Sequence, residues 1–179
     1  MTFPVLETRR LELVEVDQQY VKSLFDIMSI EDVMKYYGMD PLETEDQATK
    51  IIESFKQNYE NSRGTRWGMI LKETNMFVGT IGLNQLNLLG KKAEVGFELH
   101  PSYWRRGITS EALKEVLRYS FEYLDLFRVR AITFPENDAS GNLLKSLGFK
   151  EEGRLRGYLF QNQRSHDALV YSILKTEWR

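Results

Sequence analysis

The chain has 179 residues, 42% hydrophobic and 28% charged, with a net charge of −2 and no cysteine. That length can bury a sizeable core in one domain, and the small charge excludes a general attraction to nucleic acid or to an anionic membrane. Without cysteine there are no disulfides, no thiolate metal sites and no cysteine nucleophile, which suits a reducing cytoplasm.

Residues 10–16 alternate as a first strand, and Asp17 is placed to cap a helix carrying Tyr20, Val21, Leu24, Phe25 and Met28. A short helix is expected over 30–37. Thr44 with Gln47 forms a capping-box pattern that opens a second long helix, 45 to about 61. Three strands follow, at 67–72, 77–86 and 92–99, joined by turns short enough for an antiparallel meander. A helix over 109–124 then leads to a strand at 128–134. Next comes a short helix over 139–147, closed by Gly148. Residues 149–160 and 164–174 end the chain as a hairpin. The expected order is β-α-α-β-β-β-α-β-α-β-β. The helical crossover from 93 to 134 makes its two strands parallel, so the fold class is α/β with a mixed sheet and helices on both faces. The two histidines, His100 and His166, have no metal-ligand spacing. No segment reads as a signal peptide or membrane span.

The stretch from 93 to 113 carries the strongest chemical signal. Ala93, Val95, Phe97 and Leu99 fall on one strand face, and Glu94, Gly96 and Glu98 on the other. Pro101 ends the strand, and Arg105-Arg106-Gly107 runs straight into a helix whose apolar stripe includes Ile108, Ala112, Leu113, Val116 and Leu117. The first N–H groups of a helix lack intrahelical partners and attract anions, Gly107 permits close approach, and two arginines add charge. The turn is compatible with a phosphate site and equally with a solvated arginine pair. Neither GxGxxG nor GxxxxGK[ST] occurs.

Residues 93–113 resemble motif A of the GNAT acetyltransferase superfamily, in particular its RimJ/RimL-type branch, which acetylates ribosomal-protein N-termini. Residues 6–13 resemble that branch's opening signature, 77–83 its third strand and 136–149 its motif B, all in the same order. The resemblance implies the acyl-CoA N-acyltransferase fold over a single domain, 1–179, with acetyl-CoA as co-substrate and no metal. The strands ending near Leu99 and Phe134 would splay apart around the coenzyme, whose pantetheine arm would pair with backbone from Phe97 to Leu99. Its pyrophosphate would sit on N–H groups of Arg106, Gly107, Ile108, Thr109 and Ser110, with Arg105 adding charge. Asn137 and Ser140 match motif B positions that contact the coenzyme. Two positions depart from the family pattern: Trp104 opens the phosphate loop and Thr109 replaces a smaller residue.

The implied chemistry is direct attack of a neutral amine on the acetyl thioester in a ternary complex. A protein N-terminus, with a reference pKa of about 7.7–8.0 against roughly 10.4 for lysine, deprotonates more readily. Glu98 is the candidate general base, with Glu94 as the nearest substitute; the plain alternative is a strand glutamate in solvent or in an ion pair. Ser140 is the candidate acid for the leaving thiolate, or else a coenzyme contact or helix cap. Tyr36, Tyr37, Trp67 and Tyr158 are candidates to wall the acceptor site. The expected partners are acetyl-CoA and an amine acceptor, with no nucleic acid and no membrane; a homodimer is left open. A protein N-terminus is the first acceptor reading and a small amine (polyamine, aminoglycoside or amino acid) the second. A coenzyme-binding module without catalysis is the reading from another class.

Overall fold

In the computed structural model, which describes residues 2–179, the N-terminal arm folds back on itself as two antiparallel strands, β1 (Leu6–Glu7) and β2 (Leu11–Glu15). Asp17 caps a 3₁₀ turn by accepting from the Gln19 N–H, and α1 (Val21–Met28) follows. α2 (Glu31–Met34) is a single turn inside the expected helix. α3 (Glu45–Glu60) opens on the expected capping box: the Thr44 hydroxyl accepts from the Gln47 N–H, and the Gln47 side chain accepts from the Thr44 N–H. β3 (Thr65–Leu71), β4 (Met76–Asn87) and β5 (Lys92–Leu99) form the antiparallel meander.

The next helix is shorter than its periodicity predicts. α4 (Ile108–Arg118) widens into a π turn at Tyr119–Tyr123, where the Leu124 N–H reaches the Tyr119 carbonyl at 3.0 Å. The buried Ser120 donates its hydroxyl to the Val116 carbonyl at 2.7 Å, a bond that competes with the regular helix ladder. β6 (Arg128–Thr133), α5 (Asp138–Ser146), β7 (Lys150–Gln161) and β8 (Arg164–Leu174) complete the chain. The observed order adds the small strand β1, and the helix expected over 30–37 is present as the single turn α2.

All eight strands lie in one sheet, in the order β1-β2-β3-β4-β5-β6-β8-β7. β5 and β6 are parallel, as the crossover requires, but they pair only at Lys92, Ala93 and Glu94 opposite Arg128, Val129 and Arg130. On one face of the sheet, Ile108, Ala112, Leu113 and Val116 of α4 pack on Leu13, Trp67, Ile81 and Val95. On the other, Leu24, Met28, Met34, Ala48 and Ile52 of α1–α3 form a second core. Covered from both sides, β3 is buried along its whole length. Among the described residues no helix is long and apolar enough to cross a membrane.

Candidate active site

The candidate site lies where β5 and β6 part. Main-chain donors and acceptors of a strand alternate in direction, and the His100 N–H points back at the Val78 carbonyl of β4, at 2.8 Å. The main-chain groups of Phe97 and Leu99 therefore face the other way, into the gap. One of them is already taken: the Trp104 indole N–H donates to the Leu99 carbonyl at 2.7 Å. That contact ties the turn after β5 to the strand end and leaves the Phe97 groups and the Leu99 N–H as an open edge, which can accept an extended ligand as an added strand.

Beyond Trp104 the backbone alternates through the left-handed region, with Arg105 at φ 61° and Gly107 at φ 73°. Successive N–H groups in such a segment converge into an anion-binding concavity. Gly107 is also the N-cap of α4, and no side chain caps that helix start, so the N–H groups there remain free for a ligand. Ile108 is buried and anchors the turn, whereas Arg105, Arg106 and Gly107 are exposed and Thr109 and Ser110 half-buried. Thr109 sits in the first helical turn without disturbing it. Arg105 and Arg106 form no ion pair among the described residues; Arg106 lies over the Tyr103 ring, 5.6 Å from its centroid.

On the β6 side, Asn137 caps α5. Its Oδ1 accepts from the Ser140 N–H at 3.3 Å, and its Nδ2 donates to Ser140 Oγ at 3.0 Å. Ser140 thus accepts from Asn137 and keeps its own hydroxyl proton to donate elsewhere.

Glu98 is not a solvent-facing strand glutamate. Its side chain is 1% exposed, opposite Thr80 in the β4–β5 register, and the Thr80 hydroxyl donates to its Oε1. Arg66 Nη1 stands 3.9 Å from Oε2, which has no hydrogen bond of full geometry. The Tyr37 hydroxyl also faces this carboxylate. Burial pushes the Glu98 pKa up; Arg66, Thr80 and Tyr37 pull it down, but only in part. Tyr37 is pushed up as well, by burial and then by the Glu98 charge. Glu94, the substitute, is held by Arg130 at 2.9 Å, the ion-pair role.

Arg66 and Thr80 escaped the sequence reading, which began the strand at Trp67. Arg66 lies flat across the sheet over two glycines of facing strands: a Cβ at Gly82 would stand 2.7 Å from its Nε, and one at Gly96 would stand 3.6 Å from Nη2. Its Nη1 donates to the Gly96 carbonyl at 3.1 Å and its Nη2 to Asn84 Oδ1 at 3.0 Å. The signal was the pair of strand glycines, but only the register shows that they face the same arginine. Of the proposed walls, Tyr37 lies beside Glu98. Its loop is held by the hairpin, since Gln161 donates to the Met34 carbonyl and accepts from the Gly38 N–H, at 2.7 and 2.9 Å. Tyr36 packs on Phe134 at the end of β6, ring centroids 5.7 Å apart. Trp67 does not contribute: it is fully buried under α4, its indole bonded to the Pro4 carbonyl. Tyr158 is half exposed on the outer strand.

Comparison with known proteins identifies the family and the fold. The family model described as the acetyltransferase (GNAT) domain matches residues 10–150. YoaA of Bacillus subtilis, described as an uncharacterized N-acetyltransferase, is 40% identical over 173 residues, 97% of this chain and 98% of that protein. YdaF of the same organism, described as a putative ribosomal N-acetyltransferase, is 29% identical over 80% of this chain and 77% of its own. Two solved structures share the fold. The spermidine N-acetyltransferase of Vibrio cholerae in complex with coenzyme A and spermine has a TM-score of 0.83 at 22% identity, covering 95% of this chain and 98% of that one. RimL, the ribosomal L7/L12 α-N-protein acetyltransferase in complex with coenzyme A, has a TM-score of 0.84 at 18% identity, covering 96% and 98%. The chain belongs to the GNAT acetyltransferase family and is an acetyl-CoA-dependent N-acetyltransferase.

Proposed function

We propose that this enzyme acetylates the α-amine of a peptide or protein N-terminus, in the manner of the RimJ/RimL-type branch, with Glu98 as general base. The observation that carries the reading is the buried Glu98 carboxylate at the end of β5, beside the gap. A carboxylate whose pKa is raised by burial is a better proton acceptor for an amine in its ionised form. Arg66 and Thr80 favour that form. Attack requires the amine lone pair: the C–N bond forms, the C–S bond breaks, and Glu98 takes the ammonium proton directly or through water. The coenzyme supplies the thioester and leaves as a thiolate.

The chain's own residues divide the binding work. The open edge of Phe97 and Leu99 takes the pantetheine arm. The N–H groups of Arg106, Gly107, Ile108, Thr109 and Ser110, with the charge of Arg105 and Arg106, take the diphosphate. Asn137 and Ser140 would hold the coenzyme from the β6 side, and the Ser140 hydroxyl, which keeps its proton, would be the donor available to the departing sulfur. A sulfur whose conjugate acid has a pKa near 8.5 leaves with little protonation, so Ser140 contributes more to placement than to proton transfer.

The acceptor reading rests on the resemblance to the RimJ/RimL-type branch and on the relation to YdaF, described as a putative ribosomal N-acetyltransferase. We take residues 1–179 as one acetyltransferase domain working in the cytoplasm.

A panel of acceptors tests the proposal: peptides with free and with blocked N-termini, a blocked peptide containing lysine, and spermidine. Thiol release from acetyl-CoA gives the rate and mass spectrometry the acetylated atom. Acetylation confined to free N-termini is expected; a preference for spermidine would replace the acceptor assignment.

A further inference from the structure

The N-terminal arm reaches the coenzyme turn through a carboxylate that the proposed reaction does not use. Glu111 sits in the first turn of α4. It collects three donors from the arm: the Thr8 hydroxyl and the Arg10 N–H on Oε1, at 2.6 and 2.7 Å, and Arg10 Nε on Oε2 at 2.7 Å. Arg10 then extends past it, and Nη1 donates to the Arg106 carbonyl at 2.8 Å. Its other terminal nitrogen would stand 3.5 Å from a Cβ at Gly107. Burial alone would push the Glu111 pKa up, but the bonds from Thr8 and Arg10 hold it below the usual carboxylate range, so the group is firmly charged.

That charge stands where an anionic ligand is expected. Side chains of a helix lean toward its N-terminus, so the charge of Glu111, the fourth helical residue, would lean toward the electropositive helix start and repel a diphosphate there. Here both oxygens are turned toward the arm. The Arg10–Arg106 bond has a second effect. The C=O and N–H of a trans peptide point in opposite directions, so holding the Arg106 carbonyl toward Arg10 turns the Gly107 N–H to the open side of the turn.

We propose that Thr8 and Arg10 are positioning residues for the coenzyme's diphosphate: they hold Glu111 away from the α4 N-terminus and fix the Arg106–Gly107 peptide in the binding orientation. The inference rests on the diphosphate site proposed above, and it gives the opening signature at 6–13 a task in binding.

The test compares acetyl-CoA with S-acetylpantetheine, which keeps the thioester arm but lacks the diphosphate and the nucleoside. In wild-type enzyme kcat/KM should favour acetyl-CoA. Arg10→Gln should cost about tenfold or more on acetyl-CoA, the scale of a lost charged hydrogen bond, and leave S-acetylpantetheine unchanged. Removing the freed carboxylate as well, in Arg10→Gln with Glu111→Gln, should recover part of the loss. Arg10→Lys keeps the charge but not the two-ended reach; it serves as the second variant, with the same selective loss expected. Equal losses on both substrates, or no loss on either, would overturn the proposal, because a merely structural arm cannot distinguish the two. If the wild-type enzyme shows no preference for acetyl-CoA, the diphosphate site itself is wrong and the proposal falls with it.

Discussion

At the scale of single residues, Glu98 carries two opposed demands. Its pKa is raised, so the folded protein holds the Glu98 proton more tightly than the unfolded chain does. The stabilisation that goes with the protonated form is therefore full below the unfolded carboxyl pKa, and it is lost as pH rises through the folded value. At neutral pH the ionised group weakens the fold while it serves the chemistry. Glu98→Gln should then melt at a higher temperature than the wild type at pH 8, with the difference shrinking toward pH 4. It should also lower kcat by about 10²-fold or more and abolish the acidic limb of the pH–rate profile. Thermal melts and initial rates across that range check both. A variant that is less stable at pH 8 would mean that the Arg66 ion pair outweighs the cost of burial.

Among the elements, the strands were legible and their cross-strand company was not. Alternation from Ala93 to Leu99 separates the buried apolar face from the face of Glu98, and the structure keeps that division. What alternation cannot give is the residue opposite. Thr80 meets Glu98, and Arg66 lies across Gly82 and Gly96, through registers that depend on turn geometry and on irregularities at Met69–Ile70 between β3 and β4 and at Asn84–Asn87 between β4 and β5. The helix over 109–124 was overextended for a similar reason: its apolar period continues through Phe121, but the buried Ser120 hydroxyl competes for a carbonyl and the winding changes. The glycine floor is open to direct test. A methyl group at Gly82 would stand 2.6 Å from the Thr65 carbonyl oxygen as well as against Arg66, and backbone cannot give way cheaply. Gly82→Ala should destabilise by about 1–3 kcal/mol in urea unfolding; an unchanged midpoint would show that β3 can move aside.

For the molecule as a whole, the sheet has one weak seam. β4 and β5 pair along most of their length, whereas β5 and β6 meet at three positions only, and α4 bridges the gap from one face. The motifs for both sides were readable in advance, because each is a local run of residues. That the gap lies between them was implied by resemblance and is a property of the whole sheet. Exchange measurements should register it: coenzyme A should slow early hydrogen exchange at the Phe97 and Leu99 amides, which face the gap. In β3, closed on both sides, there is little early exchange to slow. Exchange at Phe97 and Leu99 that ignores coenzyme A would argue against pairing along that edge.

The sheet order also sets a timetable. β8 follows β7 in the chain yet lies between β6 and β7, so a ribosome delivers the two outer members before the strand that joins them. Until residues 164–174 emerge, β6 has a bare edge and β7 has no place in the sheet. Such unpaired strands are the form in which nascent chains misassociate. The three-residue contact to β5 is too short to hold β6 in register alone. The half of the molecule that carries Asn137 and Ser140 is therefore assembled last, and a chain stalled before residue 164 would leave the β5 side of the cleft without its opposite wall.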